Sequence, residues 1–194
     1  MGIIEKTYKH VVPTAKEFFD SFCKRYSSLV LPDSWYNNKA WTETVLQIFE
    51  EIGRDFGYRL RKEYLNLDMV WAIRHEAISL ITVAIEHDNG DLDDVIDDEL
   101  QKLMDVKAHL KVLMCYPGMP IVLKNEVLCD EIIEKIRSAN IKIPEERYVM
   151  ITPVVKKKDK VYAEAIEVFG CSIAPDGKWE DLGSFAVDYE GKIS

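Results

Sequence analysis

Residues 67–88 read LDMVWAIRHEAISLITVAIEHD, and the two apolar runs in this stretch set the fold class. Ile78 to Ile85 is apolar on both alternating faces, the pattern of a central strand covered from both sides. Leu67 to Ile73 predicts the strand before it. Tyr58, Leu60 and Tyr64, interleaved with Arg59, Arg61 and Lys62, predict a half-exposed strand earlier still. The three together predict a meander.

Helical spacing surrounds it. Upstream, Pro13 opens a run in which Ala15, Phe18, Phe19, Phe22, Cys23 and Tyr26 recur at helical intervals. A second helix is expected from about Lys39 to Phe56, with Trp41, Val45, Ile48, Phe49, Ile52 and Phe56 on one face and Gly57 ending it. Downstream, a helix is expected from about Asp91 to Ala108, its early acids suited to a helix N-terminus. Leu110 to Tyr116 predicts a strand, Val127 to Ala139 a helix, and Tyr148 to Val155 with Val161 to Phe169 a hairpin across a lysine-rich turn at 156–160. The order is helix, three strands, helix, strand, helix, then two or three strands. That is an α/β chain with a mixed sheet flanked by helices.

The 194 residues, 47% of them hydrophobic, suffice for one well-buried core, and no linker-like stretch or repeat divides the chain. A single domain over 1–194 is therefore expected. The N-terminus lacks the basic-then-apolar order of a signal peptide. The longest apolar run falls far short of the roughly 20 residues a membrane helix needs, so a soluble, cytoplasmic protein without membrane partners is expected. Cys23, Cys115, Cys129 and Cys171 form no CxxC pair, which fits free thiols rather than a zinc or redox site. A net charge of -9 argues against broad, nonspecific coating of nucleic acid. Walker A, G-x-G-x-x-G and G-x-S-x-G patterns are all missing, which removes common nucleotide-binding and hydrolase classes. The acids from Asp91 to Glu99 do not have the spacing of an EF-hand.

The chemistry-bearing residues are Asp68, inside an apolar strand, and Glu86 and Asp88, at the end of the most hydrophobic one. Positions i and i+2 of a strand share a face, so Glu86 and Asp88 can converge, with Asp68 reaching the same point from a hairpin neighbour. Carboxylates gathered this way repel one another, and an oxygen-only ligand set favours Mg²⁺ or Mn²⁺. Glu51 is expected to join them, because it flanks the apolar face of its helix while Glu50 points away. The bland alternative is that acids at strand ends serve solubility alone. Trp35, Tyr36 and Trp41 are expected in core packing rather than in stacking on bases.

An acid on a helix (Glu51), then YLNLD at 64–68, then VAIEHDN at 83–89, then a helix carrying Lys102 and a strand at 110–116, resembles the layout of the PD-(D/E)XK, or restriction-endonuclease-like, superfamily. The likeness covers roughly residues 41–116. It implies a restriction-endonuclease-like fold and a Mg²⁺-dependent (or Mn²⁺-dependent) nuclease cutting DNA or RNA, in restriction, repair or defence. Asp68, Glu86 and Glu51 would hold the metal, and Asp88 would position or deprotonate water. Lys102 would replace the family's lysine two residues after the Glu, a place taken here by Asp88. Arg59, Arg61, Lys62 and Asn89 would touch the nucleic acid, with DNA the first choice. His87 is expected on the opposite face, without a catalytic role. A homodimer suits such folds, since a double-strand cut takes two sites. The missing lysine also fits a catalytically silent member of the same fold, acting as an interaction or regulatory subunit.

Overall fold

The computed structural model describes residues 12–29, 38–75, 78–88, 94–116, 121–139, 145–157 and 163–188. Two helices come first, α1 (Ala15–Leu29) and α2 (Asn38–Asp55). The chain then runs through β1 (Arg59–Tyr64), β2 (Leu67–His75) and β3 (Ile78–Asp88). A π-helical turn (Val95–Glu99) leads directly into the short α3 (Leu100–Asp105) and on to β4 (Leu110–Cys115). After α4 (Ile121–Ser138) come β5 (Arg147–Lys157), β6 (Ala163–Ile173) and β7 (Trp179–Asp188).

All seven strands form one sheet, laid down in sequence order. Neighbours are antiparallel except β3–β4 and β4–β5, which are parallel. Each parallel step needs a helical crossover. Two crossovers of the same hand stepping the same way along a sheet put their helices on the same face. Two cores result. On one face α1 and α2 pack Phe18, Phe22, Val45, Phe49 and Ile52 onto Met69, Trp71, Val83 and Ile85. On the other, Leu100, Leu103, Ile132 and Ile136 cover Val70, Ala84, Leu113 and Met150. The apolar run of β3 is explained in its second half, where residues 82–87 are buried on both faces, whereas Leu80 nearer its start is half exposed.

Local signals account for the junctions. Gly57 takes a left-handed conformation (φ 79°) and its N–H bonds the Arg54 carbonyl, ending α2. Gly53 lies so close to the sheet that a Cβ there would stand 2.5 Å from Leu60 and 2.8 Å from the Trp71 ring. The β1–β2 connection is a two-residue turn at Leu65 and Asn66, both left-handed (φ 58° and 61°), between the paired Tyr64 and Leu67.

The helix expected from about Asp91 to Ala108 is the largest departure. Its described part is a π turn followed by only six α-helical residues, and Val106 is already extended. The buried positions explain it. Val95 and Leu100 are five apart, a spacing that misaligns them on an α-helix but stacks them on a π turn, where the Leu100 N–H bonds the Val95 carbonyl. On α4, Lys135 clamps this turn by bonding the Ile96 carbonyl and pairing with Asp97 at 3.1 Å. Among the described residues no helix is long and apolar enough to cross a membrane.

Candidate active site

Asp68 and Glu86 meet across the β2–β3 ladder. Met69 pairs with Ile85 and Val70 with Ala84, so one further step along the antiparallel register sets Asp68 opposite Glu86. Asp68 Oδ2 accepts a hydrogen bond from the His87 backbone N–H at 2.9 Å, which ties the carboxylate to the end of β3. Val70 and Ala84, two residues from each acid, pack in the core under α3 and α4, and the acids share that face. Asp88 has the parity of Glu86 and stands half-buried at the end of β3, level with Cys115.

Glu99 and Lys102 complete the cluster. Lys102 Nζ lies 2.8 Å from both carboxylate oxygens of Glu99. The charges of Asp68, Glu86 and Glu99 all act on that ammonium. Burial lowers the Lys102 pKa, but its hydrogen bond to Glu99 and the three carboxylates outweigh burial and hold it raised.

Glu86 is the electrostatic centre of the group. It is 2% exposed, and its Oε1 has no hydrogen-bond partner. Burial above all, then the charges of Asp68 and Glu99 and a hydrogen bond with Glu99, push its pKa up to about 9 against the pull of Lys102. The Asp68 pKa is also raised, first by burial and further by Glu99, while the His87 N–H works the other way. At neutral pH Glu86 therefore holds a proton between two acidic neighbours. A buried carboxyl kept in this state needs either that proton or a cation.

Several expected participants stand elsewhere. Glu51 lies on α2, which covers the opposite face of the sheet, so the strands separate it from Asp68 and Glu86. It accepts a hydrogen bond from Gln47 at 3.0 Å and lies 3.8 Å from Arg25. The expectation that Glu51 joins the acid group is corrected on that ground. The reading of Glu50 as turned away is corrected too: at 16% exposure it is more buried than Glu51 at 36%, and it pairs with Lys62 of β1 and Arg54. Lys62 is thereby engaged on the α2 side.

Arg61 pairs with Val70 and Arg59 with Ala72, a register that sets both arginines on the acid-bearing face. Both are exposed, and among the described residues neither has an acidic partner. Arg61 rests over the Tyr64 ring at 4.8 Å. His87 points to the other face, its ring 5.5 Å from that of Tyr116, as its odd parity predicts. Trp41 is buried beside Tyr26 and Tyr116 in the core, as expected. Asn89, Trp35, Tyr36 and the tip of the lysine-rich turn (158–160) lie outside the described residues.

Glu99 is the member that sequence reasoning missed. In the sequence it stands only as the last acid of the run from Asp91, inside what reads as an uninterrupted α-helix. The five-residue gap from Val95 to Leu100, followed by the i, i+3 pair Glu99 and Lys102, is the signal that locates it. As the side chains stand, no three acid, His or Cys side chains among the described residues form a group able to hold a metal ion. The sequence matches no protein-family model, and no curated protein matches it.

Proposed function

We propose that the chain is a Mg²⁺- or Mn²⁺-dependent nuclease of restriction-endonuclease-like fold, with Asp68 and Glu86 as its principal acids. The observation that carries this reading is the meeting of Asp68, Glu86 and Lys102, 34 positions apart in sequence at their extremes, at one end of a β-meander. The order of α2, an antiparallel meander, a helical crossover and a parallel β4 supports it as well.

The donor chemistry suits a hard divalent cation. Asp68 and Glu86 supply only oxygen, and the unpartnered Glu86 Oε1 is a buried acceptor in want of a positive partner. A bound Mg²⁺ would contribute Lewis acidity and lower the pKa of a coordinated water. This chain's own groups do the remainder. Asp88, at the rim and on the same face, orients the attacking water and takes its proton. The Lys102 ammonium stands near the charge that develops on the phosphoryl oxygens. Arg59 and Arg61, at positions about 7 Å apart along β1, offer two guanidinium groups on that face to a phosphate backbone. A narrow contact of this kind is compatible with the net charge of -9. DNA is the preferred substrate, and a homodimer would bring two such sites to two strands.

The test is cleavage of a panel of single- and double-stranded DNA and RNA with Mg²⁺ or Mn²⁺. Cleavage that vanishes in EDTA and in both Asp68→Ala and Glu86→Ala is the expected result. A chain that cuts nothing across the panel refutes the proposal. The closed Glu99–Lys102 pair, together with Asp88 in place of lysine, favours a second reading: a catalytically silent domain serving as an interaction subunit. Calorimetry separates the two. Divalent binding lost in Glu86→Gln speaks for the nuclease, and no binding speaks for the silent domain.

A further inference from the structure

Three acids from three different elements act on one another here: Asp68 from β2, Glu86 opposite it on β3, and Glu99 from the π turn, hydrogen-bonded to Glu86. The last is held in place without help from Lys102. The π turn is fixed to α4 by Lys135, and its flanks Val95 and Leu100 are buried in the core beneath. Lys102, by contrast, is partly exposed at the end of a long, flexible stem, and its ammonium spans both oxygens of Glu99. An ammonium carries one charge and no acceptor. Three carboxylates with one ammonium leave negative charge in excess whenever the acids are ionised. The Glu86 carboxyl touches Asp68 and Glu99, yet its buried Oε1 has no hydrogen-bond partner.

We propose that Glu99 is the third acid of the Asp68–Glu86 cation site, and that Lys102 occupies the cation's place on Glu99 until a divalent ion displaces it. The proposal rests on the cation site of the nuclease reading and deepens it by naming a ligand and a built-in competitor. It requires Glu99 to turn from Lys102, since as the side chains stand no three acids among the described residues form a group able to hold a metal ion. On displacement, Lys102 swings outward and becomes free to meet a phosphate. Cation entry and the arming of the lysine are then one event.

The experiment is a Mn²⁺ titration of the full chain by isothermal calorimetry, comparing wild type with Lys102→Met, Lys102→Gln, Glu86→Gln and the double variant K102M/E99Q. Removing the competing ammonium tightens Mn²⁺ binding by about tenfold or more in both Lys102 variants. Adding E99Q to K102M weakens it again by about tenfold or more, as expected for loss of a ligand. Far-ultraviolet circular dichroism checks that each variant is folded, and two different replacements of Lys102 guard against one that is not. Wild-type binding that is lost in Glu86→Gln but unchanged or weaker in the Lys102 variants overturns the displacement and leaves the nuclease site intact. Tightening in the Lys102 variants without weakening by E99Q removes Glu99 from the ligand set and overturns the proposal in that part. Absence of Mn²⁺ binding in wild type and in both Lys102 variants overturns the proposal and the cation site together.

Discussion

Glu86→Gln is the perturbation whose outcome the electrostatics fix most sharply. In the metal-free chain the Glu86 pKa is pushed up to about 9, against an ordinary value of 4.5, chiefly by burial. The folded form therefore binds a proton that the unfolded form has already released between these two values. Stability falls with rising pH wherever the folded state holds the extra proton, by about 1.4 kcal/mol per pH unit. The contribution is fully present below pH 4.5 and is lost progressively until about pH 9. By pH 7 the loss amounts to roughly 3 kcal/mol. Glutamine keeps the shape of the protonated acid and has nothing to ionise. Urea denaturation of both chains in EDTA at several pH values measures the difference. The variant and the wild type should match near pH 4.5, and the variant should pull ahead by roughly 2–3 kcal/mol at pH 7. A difference that stays flat with pH, or a variant less stable at pH 7, would refute the assignment of a buried, proton-holding carboxyl.

Other consequences follow from buried groups elsewhere in the fold. Lys111 is 1% exposed, 2.7 Å from Glu146 Oε2 and 3.1 Å from the Tyr148 hydroxyl. Lys111→Met strands the buried Glu146 charge and should cost about 3–5 kcal/mol in chemical denaturation. The double variant K111M/E146Q should recover much of that, and failure to recover would mean the loss comes from packing. His87 is held down to about 4, by burial first and against the charge of Asp88. Its unfolded form takes up a proton below its ordinary value of 6.5, so stability should drop as pH falls from 6.5 towards 4. His87→Leu should remove that acid-side slope in a thermal melt series. Gly53→Ala drives a methyl into Leu60 and the Trp71 ring, and should cost about 1–3 kcal/mol by urea titration, through displacement of α2 rather than through helix propensity.

The face of each strand residue follows from parity, which is why Asp68, Glu86 and Asp88 were legible as one group and His87 as turned away. The largely apolar run from Ile78 to Ile85 predicts a strand covered on both sides. That holds from Thr82 onward, between cores on the two faces of the sheet, whereas Leu80 is half exposed. Helix faces were less secure. Glu50 and Glu51 differ by only 100° around α2, and which of them meets a partner depends on how the helix crosses β1, a matter of packing between distant segments. Nor does the sequence state which face of the sheet a helix will cover, and that choice separates Glu51 from the acids of the meander. Glu99 is the sharpest case. Its chain neighbours predict an ordinary helix, but burying both Val95 and Leu100 against one sheet forces a π turn and rotates every residue after it. Local pattern thus determined which strands form and which way their side chains alternate, because backbone geometry alone imposes that period. Only tertiary packing decided which helix supplies the third acid, because a shared core sets the register of a helix wherever two of its buried positions are out of step.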